Sequence, residues 1–251
     1  MEFDLEVLPT AALAAEALAR RFVAAASDTI GSRGAFVVVL SGGSTPRRVY
    51  ARLAAKPFAS SVDWSRVKVL WGDERCVPPD HEASNYRMAR EALLDHVPIP
   101  EANVHRIRGE DDPGEAAKAY EQVIRRVLRT PTGPPRDTPG ERLDLVLLGL
   151  GEDGHTASLF PGTAVAPDDA RWVRAVYVPA VAAWRVTLTP VIINAAAEVA
   201  FLVLGSAKAA MARQVLEGPR RPEDLPAQLI APPQGRVRWF LDASAAAELR
   251  R

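Results

Sequence analysis

Residues 143–161, LDLVLLGLGEDGHTASLFP, decide how this chain is built. The stretch opens on Leu143, Leu145, Val146, Leu147 and Leu148, an apolar run of strand length that fits burial on both faces of a sheet. It stops at Gly149-Leu150-Gly151-Glu152-Asp153-Gly154-His155, where three glycines are interleaved with two carboxylates and an imidazole. Glycine lets backbone N–H groups come close to a ligand, and an imidazole moves protons near neutral pH. A buried strand that delivers such a loop is suited to catalysis. The plain alternative is a tight turn with a surface histidine, because one glycine-rich loop is a weak signal.

Three more runs repeat the pattern outward from this stretch. Residues 35–40, AFVVVL, lead into Ser41-Gly42-Gly43-Ser44-Thr45-Pro46, with Thr45 expected to cap the next helix and Pro46 to begin it. A strand, a Gly/Ser/Thr loop and a helix N-terminus in that order form a recipe for binding phosphate, although this loop itself carries neither GK[ST] nor G-x-G-x-x-G. Val67 to Trp71, VKVLW, ends in Gly72-Asp73-Glu74-Arg75-Cys76, and residues 199–204, VAFLVL, break at Gly205-Ser206-Ala207-Lys208. Helical periodicity is expected over residues 11–26, from 46 to about 55, from 85 to about 94, over 114–129, and after Ser206, which is read as its cap. Residues 32–34 read as a turn, residues 172–178 as a strand, residues 185–190 as the approach to a short helix, and Asp242 as the cap of an Ala-rich terminal helix.

Strands alternating with helices imply an α/β fold with a doubly wound, mostly parallel sheet. Ligands bind such sheets at the carboxyl ends of the strands. The four loops therefore fall along one edge and bring anion-binding backbone, Asp73, Arg75, Asp153, His155 and Lys208 together. That inventory fits a small phosphorylated substrate handled by acid–base chemistry.

Composition removes other classes. Lys plus Arg equals Asp plus Glu at 31 each, so no polyanionic partner is implied, and the aromatic residues are not interleaved with basic clusters. The single cysteine, Cys76, allows no internal disulfide and is compatible with a reducing compartment. Its neighbour Arg75 is a candidate for lowering the thiol pKa, against the plainer reading of a small loop side chain. His81, His96 and His105 lack ligand spacing with one another or with Cys76, so no metal site is expected. No apolar run approaches the roughly 18 residues that span a bilayer, and the N-terminus MEFDLEVLPT lacks a signal-peptide pattern. A cytoplasmic location is the expectation. Residues 130–140, TPTGPPRDTPG, read as a loop within one domain covering 1–251.

Taken together, SGGSTP, WGDERCVP with the later SNYRM, LGLGEDGHTASLFPG, RVTLT, LGSAKA and PAQLI with WFLDASA resemble, in order, the motifs of 6-phosphogluconolactonases. The resemblance implies a Rossmann-like fold shared with glucosamine-6-phosphate deaminases, and hydrolysis of 6-phospho-D-glucono-1,5-lactone in the oxidative pentose phosphate pathway. It implies no cofactor, no metal and no protein partner. By this resemblance His155 is the general base, Asp73 and Asp153 are acidic site positions, and Arg75 belongs to the lactonase form of the DER loop. Gly43, Ser44, Thr45, Arg185 and Lys208 form the phosphate-binding set. Where the deaminase pattern carries a Glu five residues beyond the His, this chain has Phe160. The alternatives are a sugar-phosphate deaminase or isomerase, weakened by Phe160, and a non-catalytic sugar-phosphate sensor.

Overall fold

The structure is a computed structural model that describes residues 3–129, 142–162 and 170–250. The expected loop at 130–140 lies outside the described residues. The elements run β1 (Asp4–Leu8), α1 (Ala11–Arg33), β2 (Phe36–Leu40), α2 (Ser44–Leu53), β3 (Val67–Trp71), β4 (Asp73–Arg75), α3 (Asn85–Ala92) and α4 (Pro113–Arg129). They continue with β5 (Leu145–Leu148), β6 (Val173–Val178), β7 (Ala183–Leu188), α5 (Pro190–Ile193), β8 (Glu198–Val203), α6 (Ala209–Glu217) and β9 (Arg236–Asp242).

Six strands form one sheet in the order β1-β9-β8-β5-β2-β3, and every pair in it is parallel. Its central strands are apolar except for Glu198, which pairs with Arg21, because both faces are covered: every residue of β2, β5 and β8 is buried. The chain leaves β2 for β3 on one side and later returns to β5 on the other. The order therefore reverses between β2 and β5, and at such a switch point the loops diverge and leave a crevice.

Those loops are fixed by buried polar side chains. The Tyr50 hydroxyl, from α2, accepts from the Ser41 N–H (2.9 Å) and donates to its carbonyl (2.8 Å) just past β2. Tyr120, from α4, does the same for Trp71 at the end of β3 (2.6 and 3.2 Å). Burial pushes both phenols above their ordinary range, so both act as neutral donor–acceptors. Asp242 accepts from Gly205 N–H (3.0 Å) and Ala245 N–H (2.8 Å), clipping the loop after β8.

A second sheet, β4-β7-β6, is antiparallel and was not expected. Residues 185–190 read only as an approach to a helix, yet residues 183–188 pair with both β4 and β6 before the short helix α5.

Helix ends also differ from the periodicity. Helix α1 runs past residue 26 to Arg33, since Ile30 packs on the core and Gly34, at φ 83°, supplies the left-handed terminator. Thr45 is not a cap: Gly43 (φ 101°) occupies that position, and Ser44, Thr45 and Pro46 form the first turn of α2. Ser206 likewise caps nothing, because Ser206–Lys208 is a single 3-10 turn entered from Gly205. Residues 243–248 make turns rather than a terminal helix, and Asp242 caps the first of them. Ser84 does cap α3, accepting from Arg87 N–H at 3.1 Å.

Candidate active site

The loops after β2, β5 and β8 meet the antiparallel pair β4–β7 around a cleft of about 430 Å³. Eight of the nine residues singled out in the sequence line it: Gly43, Ser44, Thr45, Asp73, Arg75, His155, Arg185 and Lys208. Asp153, the ninth, does not face the cleft but holds His155 from behind.

The loop after β5 is built around that contact. Asp153 Oδ1 lies 2.6 Å from His155 Nδ1 and also accepts the His155 backbone N–H at 3.1 Å. Burial pushes the Asp153 carboxyl upward, but the His155 backbone N–H, charge and side chain outweigh it and hold the group below its ordinary value. An ionised carboxylate only accepts, so Nδ1 is the donor in this contact. Gly151 makes room for this ring. A Cβ there would come within 2.1 Å of His155 Nδ1 and 2.5 Å of Asp153 Oδ1. The Thr156 hydroxyl ties the far side of the loop to the Gly149 carbonyl at 2.9 Å.

The opposite side of the cleft is the antiparallel pair. Its register sets Asp73 opposite Thr187 and Arg75 opposite Arg185, so two guanidinium groups are neighbours. Burial first, and then the Arg75 charge, push Arg185 below the usual guanidinium range, while Asp73 and Glu74 act in the other direction. Among the described residues, Nε of Arg75 and of Arg185 are buried and donate to nothing. Lys208, on the 3-10 turn after β8, reaches across to Glu152 at 3.4 Å.

Sequence reasoning missed the groups that hold Asp73. Its Oδ2 accepts from the Ser158 hydroxyl at 2.7 Å, its Oδ1 accepts from Asn85 Nδ2 at 3.2 Å, and Arg185 stands 4.0 Å away. Asn85 packs so tightly on Gly42 that a Cβ at Gly42 would lie 1.7 Å from Asn85 Oδ1. Glu74 is equally buried and accepts from the N–H groups of Arg75, Asn85 and Tyr86 (2.7–2.8 Å) and from the Ser84 hydroxyl (3.0 Å). It thereby fixes β4 against the start of α3. Burial pushes its carboxyl above the ordinary value in spite of those bonds. The sequence had marked Ser84, Asn85 and Tyr86 only through the SNYRM motif and the expected start of a helix.

The remaining expectations resolve simply. The Cys76 thiol is pushed up to about 11, by burial first and by Glu74 next, so Arg75 does not activate it. Nδ1 of His81 accepts from Ala83 N–H (3.1 Å), and His96 Nε2 lies 2.9 Å from the Glu91 carbonyl, both ordinary local bonds. A larger hollow of about 660 Å³ between α4 and the β6–β7 hairpin contains neither an imidazole nor a glycine loop.

Residues 9–239 match the family described as glucosamine-6-phosphate isomerases/6-phosphogluconolactonase. The chain belongs to that family. The 6-phosphogluconolactonase of Nostoc sp. is 40% identical over 254 residues, covering 99% of each chain. The crystal structure of devB protein superposes with a TM-score of 0.86 at 35% identity, covering 99% of this chain and 100% of that one. The 6-phosphogluconolactonase from Trypanosoma cruzi gives 0.85 at 29% identity over 100% and 98%. A monomeric glucosamine-6-phosphate deaminase, 21% identical with a TM-score of 0.80, shares the fold, as the family relationship requires. The Phe160 ring stacks on His155 with centroids 4.1 Å apart.

Proposed function

We propose that this chain is a 6-phosphogluconolactonase: it hydrolyses 6-phospho-D-glucono-1,5-lactone to 6-phosphogluconate, a step of the oxidative pentose phosphate pathway. The observation that carries the reading is the Asp153–His155 pair at 2.6 Å, with its imidazole lining a cleft ringed by cationic and helix N-terminal groups. Near-full-length identity to proteins named as this lactonase supports it.

Each element of the cleft has a part in the reaction. The α2 N-terminus, Gly43–Ser44–Thr45, receives the substrate phosphate, since free N–H groups and the positive end of the helix dipole converge there. Lys208 and Arg185 complete the anchor, and phosphate displaces Glu152 from Lys208. Held by its phosphate, the lactone lies with its carbonyl between His155 and Arg75. His155 Nε2 takes a proton from water as the water oxygen bonds to the carbonyl carbon. The carbonyl π pair moves onto oxygen, and the Arg75 guanidinium stabilises that oxyanion. As the oxyanion collapses, the carbon–ring-oxygen bond breaks and the imidazolium returns its proton to the ring oxygen. Asp153 keeps the ring in the right tautomer and stabilises the imidazolium. Asp73, clamped by Ser158 and Asn85, supplies a fixed acceptor for a sugar hydroxyl.

Residues 1–251 act as one domain in this proposal, because both sheets contribute to one cleft. A cytoplasmic location is part of the same reading.

The test is 6-phosphogluconate formation by purified protein, corrected for spontaneous lactone opening, beside an assay of ammonia release from glucosamine-6-phosphate. Strong acceleration of the first with none of the second is expected. The reverse pattern would assign the chain to the deaminase branch.

A further inference from the structure

Phe160 replaces a carboxylate of the deaminase pattern, but the ring also adds something of its own. Its face lies on the imidazole of His155, with centroids 4.1 Å apart and planes 25° apart. The same imidazole is gripped at its Nδ1 edge by Asp153 and packed against Gly151. Edge and face are therefore both fixed where the ring lines the cleft. An aromatic face carries a negative quadrupole and attracts a cation held within about 6 Å of its centroid.

We propose that Phe160 is a positioning residue that stabilises the imidazolium form of His155, the species that exists only after the water proton has been taken. This rests on the reading of His155 as the base. Among the described residues, the other charged groups that hold the ring or line the cleft with it are Asp153 and Glu152 on its own loop, Asp73 and Arg75 on β4, Arg185 on β7, and Lys208 after β8. All six remain when Phe160 is replaced, so their influence cancels in a comparison of variants. The direction then depends on the ring. Removing it takes stabilisation from the cation alone, which makes the imidazolium a stronger acid. The titration midpoint of His155 and the acid limb of kcat/KM both move to lower pH, while kcat falls. A ring that merely filled space would leave the titration where it was.

The experiment compares wild type with Phe160→Leu, Phe160→Met and Phe160→Tyr, following His155 by NMR titration and turnover on the phosphorylated lactone. A cation–aromatic contact of ordinary strength predicts a kcat lower by about 2- to 30-fold in the Leu and Met variants. It predicts a His155 midpoint lower by about 0.4–1.5 pH units in the same variants, with KM little changed. Phe160→Tyr, which keeps the face, restores both. An unmoved or raised midpoint in a folded Leu or Met variant overturns the proposal, as does a Tyr variant as impaired as Leu. Full turnover by His155→Ala would instead sink the assignment of the base, while the titration shift would still report on the stacked ring.

Discussion

The two sides of the cleft use the same residue type in opposite ways. On the loop after β5, Asp153 is about half exposed and has one neighbour to serve, the His155 ring and backbone. On the antiparallel side, Asp73 is nearly buried and spends both oxygens on Ser158 and Asn85, with Arg185 behind. Altering Asp153 therefore bears mainly on the reaction, with only a small effect on stability. Altering Asp73 or its partners leaves a buried charge short of a donor and disturbs the frame as well. In the proposed reaction the loop carries the proton chemistry, and the strand pair carries a rigid, pre-assembled surface.

Gly151→Ala should break the contrast most visibly on the loop side. The new methyl collides with the imidazole and with Asp153, so the ring must move by ångströms. A displacement of that size costs about 10²-fold in turnover, with unfolding by urea expected near wild type. Wild-type turnover would mean that the ring position is unimportant.

Lys208→Ala comes next. Losing one charge-assisted contact, about 1.5–3 kcal/mol, raises KM for the phosphorylated lactone about tenfold or more. Hydrolysis of unphosphorylated glucono-1,5-lactone is the control and should be unaffected; equal losses on both would remove Lys208 from the phosphate site.

Ser158→Ala probes the other side. The hydroxyl is fully buried and donates to the Asp73 carboxylate. Its loss should lower the free energy of unfolding by about 1.5–3 kcal/mol. An unchanged denaturation midpoint would show that Asp73 does not need the bond.

The smallest effect is one of sign. The Asp153 carboxyl is held below its ordinary value, so its contribution to stability is present above the usual Asp range and is lost as pH falls through its folded pKa. The Glu74 carboxyl is held above, so its contribution is present below the usual Glu range and is lost as pH rises through its folded pKa. Wild type minus Asp153→Asn should therefore shrink on acidification, and wild type minus Glu74→Gln should grow. Unfolding curves at stepped pH read both; differences that move together contradict the division.

What could be read in the sequence follows the same boundary. Strands β2 and β5 announce themselves by continuous apolar runs, β3 and β8 by runs with one charged residue near the start (Lys68, Glu198), and each leads into a loop of glycines and polar residues. The loop side of the cleft was thus legible down to His155 and Lys208. On the antiparallel side Asp73, Arg75 and Arg185 were singled out one by one, but the pairing that sets them together was not legible, because β4 is three residues long and pairs with a strand more than a hundred residues away. No local period encodes such a pairing, and Ser158 and Asn85 look like ordinary polar residues until the fold brings them to Asp73. Thr45 misled because a threonine before a proline is a good cap in isolation, whereas Gly43 takes that position with a backbone angle other residues avoid.

The most direct test of the account is one preparation of His155→Ala, measured twice against wild type. Formation of 6-phosphogluconate, corrected for spontaneous opening, should fall by about 10²–10⁴-fold, while the urea midpoint and the KM for the phosphorylated lactone stay near wild type. Turnover close to wild type in that folded variant would contradict His155 as the base, and with it the claim that the loop after β5 performs the chemistry.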